Sequence, residues 1–293
     1  MTLTSITAYT DLEENYRGDL DISNPIDRPG GFRGLGFQGG QAQDLRTKLT
    51  SEELRLVSDS DQALRWILGA YYLHTKRDFT TAAFIDSDGT YDHVNDPAFQ
   101  FFRGEESNKN EAYAGYVNVD YDVGERLTLS GAFRYDHDQR RQTNLVTGAV
   151  RETDFSSPQP KATITYKFTP RQLVYATYSK GFRSGGFNSP IAPIPIFKAE
   201  TLQNYEAGFK TSWLDNKLIV NGAVYRADDE NSQYFFVDPL ARGQVIANID
   251  KIRIWGVELD VQALVAPGLQ LFGAVGTTTI WRSEERRVGK ECR

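Results

Sequence analysis

Polar and apolar positions alternate with a period of two along most of this chain. That is the signature of a β-strand whose two faces meet different surroundings. In "NEAYAGYVNVDYDVGERLTLSGAFRYDHD" one face carries Tyr113, Gly115, Val117, Val119 and Tyr121, and the other carries Ala114, Tyr116, Asn118 and Asp120. After Val123-Gly124-Glu125-Arg126 the apolar face resumes at Leu127, Leu129, Gly131, Phe133 and Tyr135, which predicts a hairpin. Three more hairpins follow, turning at Thr169-Pro170-Arg171, at Asp215-Asn216 and at Ala266-Pro267-Gly268. Before the last of these turns, Trp255, Val257, Leu259, Val261 and Ala263 separate cleanly from Gly256, Glu258, Asp260 and Gln262. The stretch "QAQDLRTKLTSEELRLVSDSD" holds a weak helical alternative, with Thr50 and Glu53 placed as a capping box. A strand over 48–58, paired with "ALRWILGAYYLHTKRDF", fits the alternation better.

Between the tight turns lie polar connections at about 18–44, 79–108, 140–157, 184–200 and 227–246. Short turns alternating with long connections are the pattern of an outer-membrane barrel. A soluble sandwich has no reason to gather its long connections at one end. The count comes to roughly eleven strands, about half of a 22-stranded barrel, so the fold expected is all-β, an antiparallel transmembrane β-barrel that is incomplete. Half a barrel leaves unpaired strand edges, which neither lipid nor water tolerates well.

Composition narrows the picture. Aromatic residues make up 12% of the 293 residues, whereas Met and Cys occur once each, which favours strands over helices. A formal net charge of -6 with no basic stripe argues against nucleic acid as a partner. No apolar run approaches the length of a membrane-spanning helix, a test to which alternating strands are blind. "MTLTSITAYTDLEENY" lacks the basic and apolar regions of a signal peptide and reads as a strand already under way. At the other end "RSEERRVGKECR" breaks the alternation after Ile280 and Trp281. It is either a solvated charged tail or, the reading favoured here, the translation of a sequencing-library adapter, which it resembles. The expected division is therefore 1–281 as partial barrel and 282–293 as a non-native tail, with the gene cut while still encoding strands.

"VYATYSKGFRSGGFN" resembles the mid-barrel signature of TonB-dependent outer-membrane receptors, through Tyr178, Gly181, Phe182, Gly185, Gly186, Phe187 and Asn188. "ETLQNYEAGFKTSWLDNKLIVNGAVY" resembles the next two strands of that family, with Glu200, Tyr205, Glu206, Gly208, Lys210 and Asn221 at recurrent positions. "GVELDVQALVAPGLQLFGAVG" and "ELRLVSDSDQALRWILGAYYLHT" resemble strand pairs to either side. The likeness covers nearly all of residues 2–281. It implies a Gram-negative outer-membrane location, lipid around the barrel, and uptake of a ligand such as a ferric siderophore. It also implies TonB as a partner, acting through a plug. No segment resembles the plug, the TonB-contacting box or an aromatic-terminated last strand, so the expectation is a barrel fragment unable to transport alone.

Two readings of Arg183, Gly185 and Gly186 stand side by side. They form a cationic patch facing an anionic chelate, or the glycines let the backbone leave the sheet while Arg183 pairs with a lumenal carboxylate. Phe99, Phe101, Phe102 and Arg103, in "AFQFFRGEES", are the other ligand-contact candidates: aromatic faces beside a cation suit an aromatic chelator. The same residues also read as packing over the barrel mouth or as lipid-facing aromatics. "PIAPIPIF" is a weaker candidate, its prolines suggesting a stiff loop. His137 and its neighbours Asp136 and Asp138 point to opposite faces, and His74 and His93 are far off, so a metal site is not expected. No nucleophile, base and acid arrangement and no phosphate loop stands out, so the reading calls for neither an enzyme nor a cofactor. The alternatives are a passive porin-like channel, which an encoded plug upstream would exclude, and a soluble glycan-binding β protein, which would lack a continuous outward apolar band.

The alternation makes a labelling prediction. Cysteines at Glu206, Lys210, Glu258 and Asp260 should react with a water-soluble maleimide, and those at Tyr205, Phe209 and Trp213 only with a lipid-soluble one. The reverse pattern would mean that the register is off by one residue.

Overall fold

The computed structural model describes residues 1–20, 39–86, 93, 95–190, 192–238 and 243–282. Residues 283–293, nearly all of the stretch read as non-native, lie outside them, as does Ile191 of "PIAPIPIF".

The described residues form thirteen strands and no helix. They are β1 (Thr2–Asp19), β2 (Gly39–Val57), β3 (Leu64–Ile85), β4 (Gln100–Val123), β5 (Leu127–Asn144), β6 (Val150–Thr169), β7 (Gln172–Arg183), β8 (Gly186–Phe187), β9 (Ile196–Phe197), β10 (Glu200–Trp213), β11 (Leu218–Asp238), β12 (Gly243–Ala266) and β13 (Leu269–Arg282). Eleven build one antiparallel sheet in chain order, while β8 and β9 pair separately as a small hairpin within the connection from β7 to β10. The sheet is open, with β1 and β13 at its edges. The strand preferred at 48–58 is real and belongs to the longer β2.

Tight turns stand at one end: 58–63, 124–126, 170–171, 214–217 and 267–268. Gly124 and Gly268 adopt φ of 70° and 80° there, a region in which a side chain is strained. Leu214, Asp215 and Asn216 are all left-handed as well, and Arg171 pairs with Asp215 across to the neighbouring turn. At the opposite end two expected long connections are short. β5 and β6 are joined by 145–149, and β11 and β12 by 239–242, because the strands run far beyond where alternation fades. A strand that has left the membrane has water on both faces, so its ladder continues without an apolar side.

The register puts Leu68, Val117, Phe133, Phe209 and Leu259 on the outward face, with little but solvent over them. Tyr72, Tyr113, Tyr135, Tyr178, Tyr205 and Trp255 form an upper aromatic row on that face, and Trp66, Tyr121, Tyr166 and Trp213 a lower one. From Tyr113 to Tyr121 is about 27 Å along the strand at 3.4 Å per residue, and less in height once tilted, in keeping with an apolar band about 25 Å tall.

The inner face is built differently. Tyr116 lies opposite Gly69, Tyr175 opposite Gly208 and Tyr225 opposite Gly256. Each ring lies over its glycine, so closely that a Cβ there would sit under 3 Å from ring atoms. Each hydroxyl then reaches a polar neighbour: Glu53, Glu206 and Thr278 at 2.6, 2.6 and 2.8 Å. Gly208 and Glu206, singled out by resemblance, are therefore the seat and the acceptor of one tyrosine.

Gly69→Ala should displace the Tyr116 ring and cost about 1–2 kcal/mol. Gly131→Ala, where a Cβ meets nothing within 4 Å, should stay within about 0.5 kcal/mol. Unfolding by urea in detergent or lipid, followed by the heat-modifiable gel shift of the barrel, measures both; equal effects would reject the ring-on-glycine account.

Candidate functional site

The site is the upper end of the inner face, above the aromatic row, where the β7–β10 connection folds over the sheet. Gly185 and Gly186 stand where it turns inward. Neither has a positive φ, so what these glycines supply as the backbone leaves the sheet is space. A Cβ on Gly185 would lie 2.4 Å from the Phe197 carbonyl oxygen and 2.5 Å from the Phe155 ring, and one on Gly186 would lie 2.7 Å from the Phe197 ring. Phe187 pairs with Ile196 in the small hairpin.

Asn188 is the pin. It is buried, and its Nδ2 donates to the carbonyls of Ile194 and Ile246, both at 2.8 Å, while its Oδ1 accepts from the Ile246 N–H at 2.7 Å. Its own carbonyl accepts from Gln142 Nε2 at 3.2 Å. One side chain thus joins the small hairpin to the upper part of β12, and its backbone joins it to β5. Lys198 N–H bonds Asn248 Oδ1 at 2.7 Å and adds a second tie to β12.

Around this pin the inner face gathers charge. Arg77 lies 3.8 Å from Glu106 and its guanidinium sits 4.6 Å from the Phe79 ring centroid. Arg140 pairs with Asp138 at 2.8 Å, and Arg151 donates to the Pro190 carbonyl at 2.9 Å. Arg183 lies 3.6 Å from Glu200, which also accepts from the Gln233 N–H at 2.6 Å. Burial pushes the Glu106 carboxyl above the usual glutamate range, against a hydrogen bond from Asn108 and the charges of Arg77 and Arg151. Burial raises Asp229 likewise, against a hydrogen bond from Ser232 and helped by the nearby Glu200. Among the described residues Asp138 Oδ1, Gln142 Oε1, Arg151 Nη1, Ser184 Oγ and Asp229 Oδ1 are buried without a hydrogen-bond partner. Such atoms are costly unless something polar meets them.

The sequence candidates distribute unevenly over this geometry. Arg183 points inward at the mouth, paired with a carboxylate as one of its two readings required, and more than half of its side chain stays accessible. Tyr178 faces outward, its ring 5.1 Å from that of Tyr205. Phe182 alternates outward with it, and Gly181 faces inward with open space around it. Glu206 and Lys210 line the lumen lower down.

Phe99, Phe101, Phe102 and Arg103 do not converge. Three of them belong to β4 rather than to a loop; the pairing sends Phe102 inward and Arg103 outward, while Phe101 falls at a register shift and pairs with no residue of β3. Arg103 pairs with Glu105 on the same outward side. Phe99 packs against the cluster of Ala42, Ala82 and Phe84 and stacks on His93 at 4.4 Å. His137 faces outward, bonded to Ser156 Oγ at 2.8 Å, on the opposite side from Asp136 and Asp138.

Arg77, Glu106, Arg140, Gln142 and Arg151 went unnoticed in the sequence. The signal available for Arg140 and Gln142 was parity, since they continue the inward series of Arg134, Asp136 and Asp138. For Arg77 and Glu106 the same series runs upward from Tyr71 and Tyr116.

Asn188→Ala should leave the Ile246 N–H and C=O buried without partners, at a local cost of about 1–3 kcal/mol. Hydrogen exchange followed by mass spectrometry should then show about tenfold or faster exchange at 192–197 and at Ile246, with the membrane portions of β10 and β11 unchanged. Unchanged exchange at Ile246 would remove Asn188 from its role as pin.

Comparison with known proteins places this geometry. Residues 2–290 match the family model described as TonB dependent receptor-like, beta-barrel. The "Probable TonB-dependent siderophore receptor PiuA" of Acinetobacter baumannii is 26% identical over 197 residues, covering 62% of this chain and 25% of that protein. The "Ferric-pyoverdine 358 receptor" of Pseudomonas putida is 29% identical over 132 residues, covering 44% of this chain and 16% of the relative. Among solved structures, the ferric yersiniabactin uptake receptor FyuA of Yersinia pestis superposes with a TM-score of 0.70 at 18% identity, over 95% of this chain and 40% of that one. PiuA of Acinetobacter baumannii gives 0.64 at 19% identity, over 99% and 45%. The chain therefore spans a quarter or less of those curated relatives' length. By its family match and its eleven-stranded antiparallel sheet, this chain belongs to the TonB-dependent receptor-like β-barrels of the Gram-negative outer membrane.

Proposed function

We propose that this chain is barrel wall from an outer-membrane transporter that takes up an iron chelate of the ferric-siderophore type. TonB drives it through a plug segment held in the barrel. The observation that carries the reading is the upper lumen. There Arg77, Arg140, Arg151 and Arg183 stand around buried polar atoms that lack hydrogen-bond partners. Siderophore iron complexes present carboxylate, hydroxamate or catecholate oxygens, many of them anionic, and guanidinium groups bind such oxygens with directed, charge-assisted hydrogen bonds. The relatives described as a probable siderophore receptor and a ferric-pyoverdine receptor support the ligand class. Capture belongs to the mouth, and the pull that opens a path belongs to TonB. The barrel wall needs no catalytic group for either.

The test is uptake of radioactive iron by cells whose other ferric receptors are deleted and which express the outer-membrane protein carrying this chain. Ferric hydroxamate, ferric catecholate and ferric citrate serve as probes. One of them should enter in a TonB-dependent manner, and R140Q/R151Q should weaken its binding to whole cells about tenfold or more. Entry that persists without TonB would point to a passive channel and overturn the proposal, as would no entry of any probe.

A further inference from the structure

On the outward face, at the upper aromatic row, the alternation of apolar side chains is interrupted by charge. Tyr178, Tyr205, Arg226 and Trp255 stand side by side across β7, β10, β11 and β12, so a guanidinium occupies a place in the aromatic girdle itself. One step higher Asp228 lies opposite Arg253, and Arg253 opposite Trp281. The result is a checkerboard of two arginines and two tryptophans around one carboxylate.

Asp228 holds this arrangement rigid. It is buried to 7% exposure, accepts from Arg253 Nε at 2.7 Å on one oxygen, and on the other accepts from Arg226 Nη2 at 2.6 Å and Nε at 3.0 Å. Both guanidiniums are fixed by their inner edges, and both side chains remain about half exposed on the lipid side. Lys251 lies beside them, 3.6 Å from Glu230. Lys251, Arg253, Trp255, Trp281 and Arg282 line a shallow hollow at this place. Arg282 opens the charged stretch "RSEERRVGKECR", and the site stands on the other four with Arg226.

Among the described residues two guanidiniums, Arg226 and Arg253, share the single carboxylate of Asp228, so this pair carries an excess positive charge. Positive charge on the lipid-facing side of a barrel is unfavourable unless it meets water or an anion. Tryptophan settles at the headgroup level, where its ring meets acyl chains and its N–H meets polar groups. Arginine, unlike lysine, presents a planar fork that matches phosphate oxygens. We propose that this patch binds the phosphate of a phosphorylated glycolipid in the outer leaflet. Arg226 and Arg253 hold the phosphate oxygens, Lys251 contributes charge, and Trp255 and Trp281 pack against the sugar and the upper acyl chains. The site lies outside the barrel, on the opposite face from the mouth, so its occupancy is independent of the transported ligand.

Native mass spectrometry of the detergent-extracted outer-membrane protein carrying this chain tests the proposal, with bisphosphorylated lipid A, chemically dephosphorylated lipid A and inorganic phosphate as probes. The phosphorylated lipid should be retained about tenfold more tightly than the dephosphorylated one, and R226Q/R253Q should abolish that difference. Because that variant leaves Asp228 buried and unpaired, R226Q/D228N/R253Q serves as its charge-balanced companion, with the same expected loss. Equal retention of the two lipids by the unaltered protein would overturn the proposal even if neither variant folds. So would full retention by the triple variant. Displacement of the lipid by millimolar inorganic phosphate would reassign the patch to free anions and overturn the lipid as its occupant.

Discussion

A polypeptide that crosses hydrocarbon must pair its own backbone N–H and C=O groups, because nothing in the bilayer interior will do so. In this chain that requirement is met by one continuous antiparallel ladder of eleven strands, and the rest of the molecule follows from it. Once the ladder is set, each residue has a face. Outward residues meet lipid and are apolar; inward residues meet a wet lumen and pair among themselves. A slip of one residue would place Glu206 and Lys210 in lipid and Phe209 and Trp213 in water, so the register has little latitude.

The inner face shows how such a wall is stiffened without an apolar core. Tyr116, Tyr175 and Tyr225 lie flat over glycines on the neighbouring strands, and their hydroxyls end on polar partners. The ring occupies the space that the missing side chain leaves, burying aromatic surface that would otherwise face water and adding a hydrogen bond that a smaller residue could not reach. The same economy of space governs the mouth. Gly185 and Gly186 let the β7–β10 connection approach Phe155 and Phe197, and Asn188 then binds the Ile246 backbone as a neighbouring strand would. The conspicuous glycine-rich motif is thus largely a joint. It seats the connection against Gln142, which donates to the Asn188 carbonyl, and Arg151, which donates to the Pro190 carbonyl.

Charge is distributed by the same logic. Inside, Arg183 and Arg140 each stand against a carboxylate near the lumen mouth, where partial burial strengthens the interaction and leaves other polar atoms waiting for a partner. Outside, Arg226 and Arg253 share Asp228 at the height where lipid gives way to headgroups. A membrane wall has two wet boundaries and one dry band, and each charged cluster sits at a boundary.

What the sequence alone determined was the fold class, the strand count, the tight turns and the two faces of each membrane strand. Lipid on one side and water on the other write themselves directly into a period of two, as Trp255, Val257 and Leu259 against Glu258 and Asp260 show. The family was legible too, in the run from Tyr178 to Asn188. Where both faces meet water that contrast disappears, so the upper parts of β5, β6, β11 and β12 looked like loops although their ladder continues. For the same reason Phe99 to Arg103 looked like one cluster, whereas alternation inside β4 divides it between two faces. Only the tertiary structure decided which residues meet at the mouth, because Asn188, Gln142 and Ile246 are brought together by chain segments far apart in sequence. Such contacts depend on register summed across several strands, and no local pattern carries that sum.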